Sequence, residues 1–342
     1  MKVLELYSGI GGMHFALRES GIQYKVLTSI DINTAANEVY RDNFPDTVNL
    51  GRNIQSFDIE QIRKLSVDTI LMSPPCQPFT RVGLKKDILD NRTDSFLHVL
   101  ELIPQIATLN YVLVENVKGF ETSQARDKLV ECIVNSGFNY KEFLLSPCQF
   151  GIPNTRHRYY MIAKRKEFRF FFTDPSLTKF YPEEILEDNK GAKRIVNILE
   201  DNIDENNYLI STKILAKHAG VLDIRTAAST KSCCFTKAYG RYAEGTGSVF
   251  CPMSEELVSE KFLESKMYGD DVKKKAEVLS SLKLRYFTPR EVARLMCFPE
   301  DFHFPKTTTT KQKYRLLGNS INVFVVCQLI KLLKYGDADA LS

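Results

Sequence analysis

Lys2-Val3-Leu4-Glu5-Leu6-Tyr7, Ser8-Gly9-Ile10-Gly11-Gly12 and Met13-His14-Phe15-Ala16-Leu17 follow one another without a break at the start of the chain. The first run reads as a short buried strand, the second as a glycine turn, and the third places apolar residues at helical spacing. A strand, a tight turn and a helix opening make a cradle for an anion or a nucleotide. The glycines let backbone approach the ligand, and the helix start presents N–H groups without intrahelical partners. Taken alone, the stretch is more often an ordinary tight turn, and it is not the dehydrogenase GxGxxG because its third glycine comes too early.

The following residues strengthen the nucleotide reading. Tyr24 to Ile30 is a second strand with Asp31 at its carboxyl end, about 20 residues after the glycines, where an acid suits a ribose diol. An equal alternative makes Asp31 part of the cap of a helix beginning near Ala35. Strands are further expected at Val48–Leu50, Thr69–Met72, Tyr111–Val114 and Arg158–Ala163, alternating with helical patterns at Ile59–Leu65, Phe96–Leu109 and Arg126–Ser136. That rhythm predicts an α/β fold with a doubly wound, mostly parallel sheet.

At 342 residues the chain is long for a single domain of roughly 100 to 200 residues. After about Thr173 the α/β rhythm fades, and Glu183–Glu205 reads as solvated helices and loops. Thr288, Pro289 and Glu291 then mark a capped helix start, and Ile321–Tyr335 a strongly apolar helix whose Val325, Leu329, Leu332 and Leu333 would return to the sheet. The expected division is a sheet domain of residues 1–175 and 286–342 with residues 176–285 inserted. A formal charge of +4 permits a nucleic-acid partner without demanding one. Eight cysteines without a paired framework suit reduced thiols in the cytosol, or in the nucleus. No CxxC or HxxxH spacing suggests zinc, and no apolar run reaches the roughly 18 residues of a membrane span.

Met72-Ser73-Pro74-Pro75-Cys76-Gln77-Pro78-Phe79 carries the sharpest chemical signal. The prolines restrict the backbone around Cys76 and end the preceding strand, so the thiol is aimed. An isolated cysteine is usually a small core hydrophobe, yet other candidates also fall at strand ends, where open α/β sheets place ligands. Glu115-Asn116-Val117 closes one strand and Arg156-His157-Arg158 opens another. A nucleophile, a carboxyl group and two guanidinium groups could meet in one cleft. Ser232 to Arg241 and Gly245 to Ser248 read as a mobile loop with basic and aromatic tips, suited to phosphate contacts and base stacking, although such a pattern by itself is more often an ordinary surface loop. Lys273-Lys274-Lys275 reads as a solvated helix face.

The order Tyr-Ser-Gly-Ile-Gly-Gly, Pro-Pro-Cys-Gln, Glu-Asn-Val, Arg-His-Arg, Gly-Asn-Ser resembles the cytosine-5 methyltransferase family over nearly the whole chain. Cys234-Phe235-Thr236 and Pro-Pro-Cys-Gln-Pro-Phe-Thr-Arg resemble its eukaryotic branch called DNA methyltransferase homologue two, whose members act as tRNA-aspartate cytosine-5 methyltransferases on the anticodon-loop cytosine at nucleotide position thirty-eight. The resemblance implies a class I methyltransferase sheet with a small target-recognition insertion and S-adenosylmethionine as methyl donor, leaving S-adenosylhomocysteine. It implies that Cys76 attacks C6 of the cytosine, that Glu115 holds N3 and the amino group, and that Arg156 and Arg158 support the base and favour the Cys76 thiolate.

For the cofactor the resemblance implies Tyr7, Gly9, Ile10, Gly11 and Gly12 at the methionine end, Asp31 at the ribose and Ile32 on the adenine face. Asn53 and Ile54 stand where many bacterial relatives have an aspartate near the adenine, Pro75 adjoins the donor, and Asn319 and Ser320 close over it. The nucleic acid falls to Gln77, Arg81, Cys234, Phe235, Thr236, Lys237 and Tyr239. Where the family pattern is Gln-x-Arg-x-Arg, this chain has Asn154-Thr155-Arg156-His157-Arg158. The expected partner is tRNA, with tRNA-Asp foremost, for a monomeric protein. The alternatives are a DNA cytosine-5 methyltransferase acting on duplex and a catalytically idle nucleic-acid-binding protein, the latter disfavoured because Cys76, Glu115, Arg156 and Arg158 are all present. A nicotinamide dehydrogenase is disfavoured by the glycine spacing.

Overall fold

The computed structural model describes residues 1–75, 94–172, 174–182, 186 and 193–337. Cys76, Gln77 and Arg81 lie outside the described residues. The first half alternates as the apolar pattern requires: β1 (Lys2–Leu6), α1 (Gly12–Ser20), β2 (Lys25–Ile30), α2 (Thr34–Asn43), β3 (Asn49–Leu50), α3 (Ile59–Leu65), β4 (Thr69–Met72), α4 (Asp94–Leu102), β5 (Tyr111–Val117) and α5 (Gln124–Asn135). Two longer strands, β6 (Phe138–Leu145) and β7 (Arg158–Arg165), complete a sheet ordered β3-β2-β1-β4-β5-β7-β6. β7 runs antiparallel to both β5 and β6, and the other described pairs of this sheet are parallel.

The expected strands are all present, and β6 is an addition. Its Asn139, Lys141 and Glu142 obscure the apolar alternation, and the structure shows how one of those charges is tolerated. Glu142 is buried, accepts from Arg126 Nε at 2.7 Å and from the Tyr159 hydroxyl at 2.6 Å, and so is paired by residues distant in sequence. The helix expected through Leu109 stops at Leu102, where Pro104 sits in a tighter turn at Ile103–Gln105.

Apolar side chains on the two sheet faces form two clusters, with Leu4 and Leu6 on one and Val3 on the other. The insertion supplies α6 (Thr212–His218), β8 (Asp223–Arg225), β9 (Ser248–Phe250), α7 (Glu255–Lys266), α8 (Val272–Ser280) and the strand β10 (Arg285–Tyr286), with β10-β9-β8 as a second sheet. Ile210, Leu215, Val249, Leu279 and Leu282 make a small core there. Ile195, Ile198, Phe235, Tyr239 and Phe250 instead join the large cluster, so this segment is welded to the main sheet by apolar burial. Ile195 and Ile198 thereby correct the reading of residues 183–205 as wholly solvated.

The chain closes with α9 (Pro289–Leu295), α10 (Thr310–Asn319) and α11 (Val323–Lys334). Thr288 and Glu291 form the expected capping box. In α11, Val325, Leu329, Leu332 and Leu333 are fully buried and the helix packs on α1. Each such side chain contributes roughly 1.5–3 kcal/mol relative to exposure, which is why the end of the chain returns to its beginning. The seven described cysteines are free thiols.

Candidate active site

The chain adds β2 and β3 on one side of β1, then crosses back to place β4 on the other, so the loops after β1 and β4 diverge and leave a cleft. A cavity of about 580 Å³ occupies it. One wall is the loop between β1 and α1. Gly11 N–H donates to the Ser8 carbonyl at 2.9 Å, with Gly11 at φ 85 as the residue preceding α1. A side chain at Gly11 would strain that backbone and bring Cβ to 2.6 Å from Phe44 Cε2.

Asp31 ends β2 and ties the loop in place. One carboxylate oxygen accepts the Gly9 N–H at 2.8 Å, the other the Asn33 N–H at 2.7 Å. Asn33, not Asp31, caps α2 through its own side chain. Burial pushes the Asp31 carboxyl up while the backbone N–H groups of Asn33, Gly9 and Ile32 pull it down, with burial prevailing. Ile32 is 70% exposed at the cavity wall, an apolar platform beside that acid. An acid for a ribose diol, an apolar face for a base and a glycine loop fit a nucleoside cofactor such as S-adenosylmethionine. Asn53 also lines the cavity, and its amide is already engaged with Gln55.

Beneath the loop, β1 turns Glu5 into the interior. Tyr40 Oη donates to Glu5 at 2.8 Å and lies 2.9 Å from His14 Nδ1, while His14 stacks on Phe44. Burial lifts Glu5 to about 8 and depresses His14 to about 3, so both stay neutral near neutrality.

The opposite wall comes from β5 and β7. Because β7 is antiparallel, its first residue lies at the same sheet edge as the last of β5: Val117 faces Arg158 and Glu115 faces Tyr160. Glu115 and Arg158 are then diagonal neighbours on one face, with Arg158 Nε 3.4 Å from Glu115 Oε1. Burial raises the Glu115 carboxyl above its ordinary range against the opposing pull of Arg158 and Arg156.

Arg156 bonds backbone carbonyls from two distant segments. Its Nη1 donates to the Phe235 carbonyl at 3.0 Å, and its Nη2 to the carbonyls of Gly318, at 3.2 Å, and Ser320. This buried cation clamps the loop before β9 to the junction of α10 and α11. Asn154, which the departure from the family pattern left without a role, donates to Ser232 Oγ at 3.1 Å and to the Cys233 carbonyl at 3.0 Å. Both side chains hold residues some 80 positions away, a function no local pattern reveals. Cys234 Sγ lies 3.4 Å from Arg156 Nη1 and 4.0 Å from Arg158 Nη2. Burial pushes this thiol up, but Arg156 and Arg158 together outweigh it and hold it below its usual value.

Two aromatic residues of the loop at 232–248 are packed inward. Phe235 and Tyr239 are only 2% and 4% exposed. Their rings meet edge to face, and Tyr239 Oη donates to the Ser248 carbonyl at 2.6 Å. Buried rings cannot stack on a base, which corrects the expectation for both. Thr236 contributes backbone: a Cβ at Gly318 would come within 2.2 Å of the Thr236 carbonyl carbon and the Lys237 nitrogen, so glycine alone admits this approach. Lys237 itself reaches the cavity wall.

Of the expected cofactor residues, Tyr7, Gly9, Ile10, Asp31 and Ile32 line the cavity, as do Asn53, Ile54, Pro75, Asn319 and Ser320. Gly11 and Gly12 instead stand behind the wall, against Phe44 and Ile321. Glu115, Arg156 and Arg158 share the same cavity. Ser73 and Ser95 line it too and had no sequence signal beyond their nearness to Cys76.

Known proteins resemble this chain along nearly its whole length. The family described as C-5 cytosine-specific DNA methylase matches residues 1–334. The tRNA (cytosine(38)-C(5))-methyltransferase of Bos taurus is 44% identical, over 97% of this chain and 99% of that one. The protein of the same name from Spodoptera frugiperda is 46% identical, over 97% and 98%. A crystal structure of a mutant Spodoptera frugiperda DNMT2 superposes with a TM-score of 0.89 at 45% identity, covering 97% of this chain and 99% of that one.

Proposed function

The chain belongs to the C-5 cytosine-specific methylase family, and from that premise we propose that it methylates C5 of the anticodon-loop cytosine at nucleotide thirty-eight of tRNA, with tRNA-Asp as its substrate. The observation that carries the reading is one cavity in which Asp31 and Ile32 face Glu115 and Arg158. A methyl donor and a base then lie side by side. The names of the Bos taurus and Spodoptera frugiperda relatives support tRNA over DNA.

S-Adenosylmethionine, when bound, supplies an electrophilic methyl group on its sulfonium. Asp31 would take the ribose, Ile32 the adenine face, and the loop of Tyr7 to Ile10 with Asn319 and Ser320 the methionine end. On the base side, the Cys76 thiolate bonds to C6 and breaks the C5=C6 double bond. Glu115, held by burial toward its protonated form, gives a proton to N3, so the electron pair rests on C5 rather than on a charged ring. C5 takes the methyl group as the methyl–sulfur bond breaks; loss of the C5 proton to solvent then expels the thiolate and restores the double bond, and N3 returns its proton to Glu115. Arg158 keeps Glu115 oriented at 3.4 Å. An anticodon loop presents its cytosine with less unstacking cost than a duplex, where extrusion costs a few kcal/mol.

Labelled methyl transfer to total tRNA and to genomic DNA, run in parallel with the product nucleotide mapped, tests the reading. Transfer to tRNA at nucleotide thirty-eight is expected, and methylation of duplex alone would replace it with the DNA alternative. Cys76→Ala should lower transfer by at least about 10³-fold with cofactor affinity within about twofold. Substantial residual transfer would refute the nucleophile.

A further inference from the structure

Tyr7 holds a left-handed backbone, φ 56, which only four other described non-glycine residues share. That conformation costs an L-residue roughly 1–2 kcal/mol. The strain directs two groups of the same residue to two places. The Tyr7 carbonyl accepts the Ser73 hydroxyl at 3.1 Å, just after β4. The Tyr7 hydroxyl donates to Ser95 Oγ, also at 3.1 Å, in the first turn of α4. Ser73 and Ser95 bracket in sequence the stretch that contains Cys76. Tyr7 meanwhile belongs to the loop that lines the cavity beside Asp31 and Gly9. One residue of the cofactor loop therefore spans both ends of the nucleophile-bearing stretch.

We propose that Tyr7, through its hydroxyl on Ser95 and its carbonyl on Ser73, is a positioning residue that sets the methyl-donor loop and the two anchors flanking Cys76 in one register. The inference rests on the proposed methyl transfer. In that reaction the thiol must reach C6 while the methyl group faces the adjacent C5, and a misplacement of about 1 Å can cost about 100-fold in rate. A phenyl ring would fill the same space at Tyr7; the hydroxyl is needed only for the bond to Ser95.

The test uses the full chain as wild type, Tyr7→Phe, Ser95→Ala, the double variant and Ser95→Thr. Tyr7→Phe and Ser95→Ala should each lower single-turnover transfer to tRNA about tenfold, the loss of one hydrogen bond, with S-adenosylmethionine affinity changed by less than about twofold. The double variant should be no slower than either single one, and Ser95→Thr should keep the wild-type rate. Hydrogen exchange of the peptide Asp94–Leu102 in cofactor-saturated protein should become several-fold faster in Tyr7→Phe. A Tyr7→Phe rate within about twofold of wild type, a multiplicative double variant, an affinity loss as large as the rate loss, or unchanged α4 exchange would each overturn the proposal. The exchange measurement needs no polynucleotide. If it responds while tRNA stays unmethylated, the tRNA reading fails and the bridge between the two loops stands.

Discussion

The two walls of the cavity are built in opposite ways. The cofactor wall is mostly local: Tyr7, Gly9, Ile10, Asp31 and Asn53 belong to one stretch of about fifty residues, and backbone N–H groups and glycines do much of the shaping. The base wall is assembled across the chain, with Glu115 on β5, Arg158 on β7, Cys234 before β9 and Gly318 at the end of α10. Buried side chains are what hold its segments together. A local wall should therefore fail locally when altered, whereas the distributed wall should fail as a unit.

Arg156→Met offers the largest expected break. It leaves the carbonyls of Phe235, Gly318 and Ser320 without their donor, at about 1–3 kcal/mol for each buried group left unpaired. The expected outcome is a loss of about 3 kcal/mol or more in denaturant unfolding, together with near-complete loss of methyl transfer. Arg156→Lys, which keeps the charge but not the planar fork, should recover only part of either. A variant of wild-type stability would show that the base wall does not depend on this clamp.

Gly11→Ala is the matching change just behind the cofactor wall. Positive φ and the 2.6 Å approach to Phe44 should weaken S-adenosylmethionine binding by about tenfold and cost about 1–2 kcal/mol of stability. The packing of Phe235 and Tyr239 should be unaffected, read as unchanged hydrogen exchange in the peptide of residues 232–248. If exchange rose there as well, the two walls would not be independent.

The smallest effect concerns Glu5 under the glycine loop. Its carboxyl is lifted from 4.5 to about 8 by burial, against hydrogen bonding from Tyr40 and His14, with Asp31 adding to the lift. Between those values the native state keeps a proton that the unfolded chain has released, so this group's contribution to stability is present at low pH and is lost as pH rises toward 8. Glu5→Gln should flatten that fall in urea midpoints between pH 5 and 8, with a change within about 1 kcal/mol at pH 5. A slope equal to that of wild type would remove Glu5 as its source.

The same contrast explains how much could be read before the fold was known. Strand–turn–helix periodicity determined the class of sheet, the glycine turn, Asp31 at the end of β2 and the capping box at Thr288–Glu291, because each depends on neighbours within a few residues. Motif order also brought Glu115, Arg156 and Arg158 forward as candidates. What Arg156 grips, what Asn154 does and why Gly318 must lack a side chain depend on contacts between segments some 80 to 160 positions apart. The loop of residues 232–248 carries the same lesson. Its phenylalanine and tyrosine suit exposed stacking by composition, yet Phe235 and Tyr239 are buried because apolar area is removed from water wherever the fold supplies a matching surface. The sequence by itself determined which chemical groups the protein owns and the local frames that carry them. Tertiary structure alone decided which of those groups face the cavity and which hold it shut from behind, since burial and distant hydrogen bonds exist only once the segments have met.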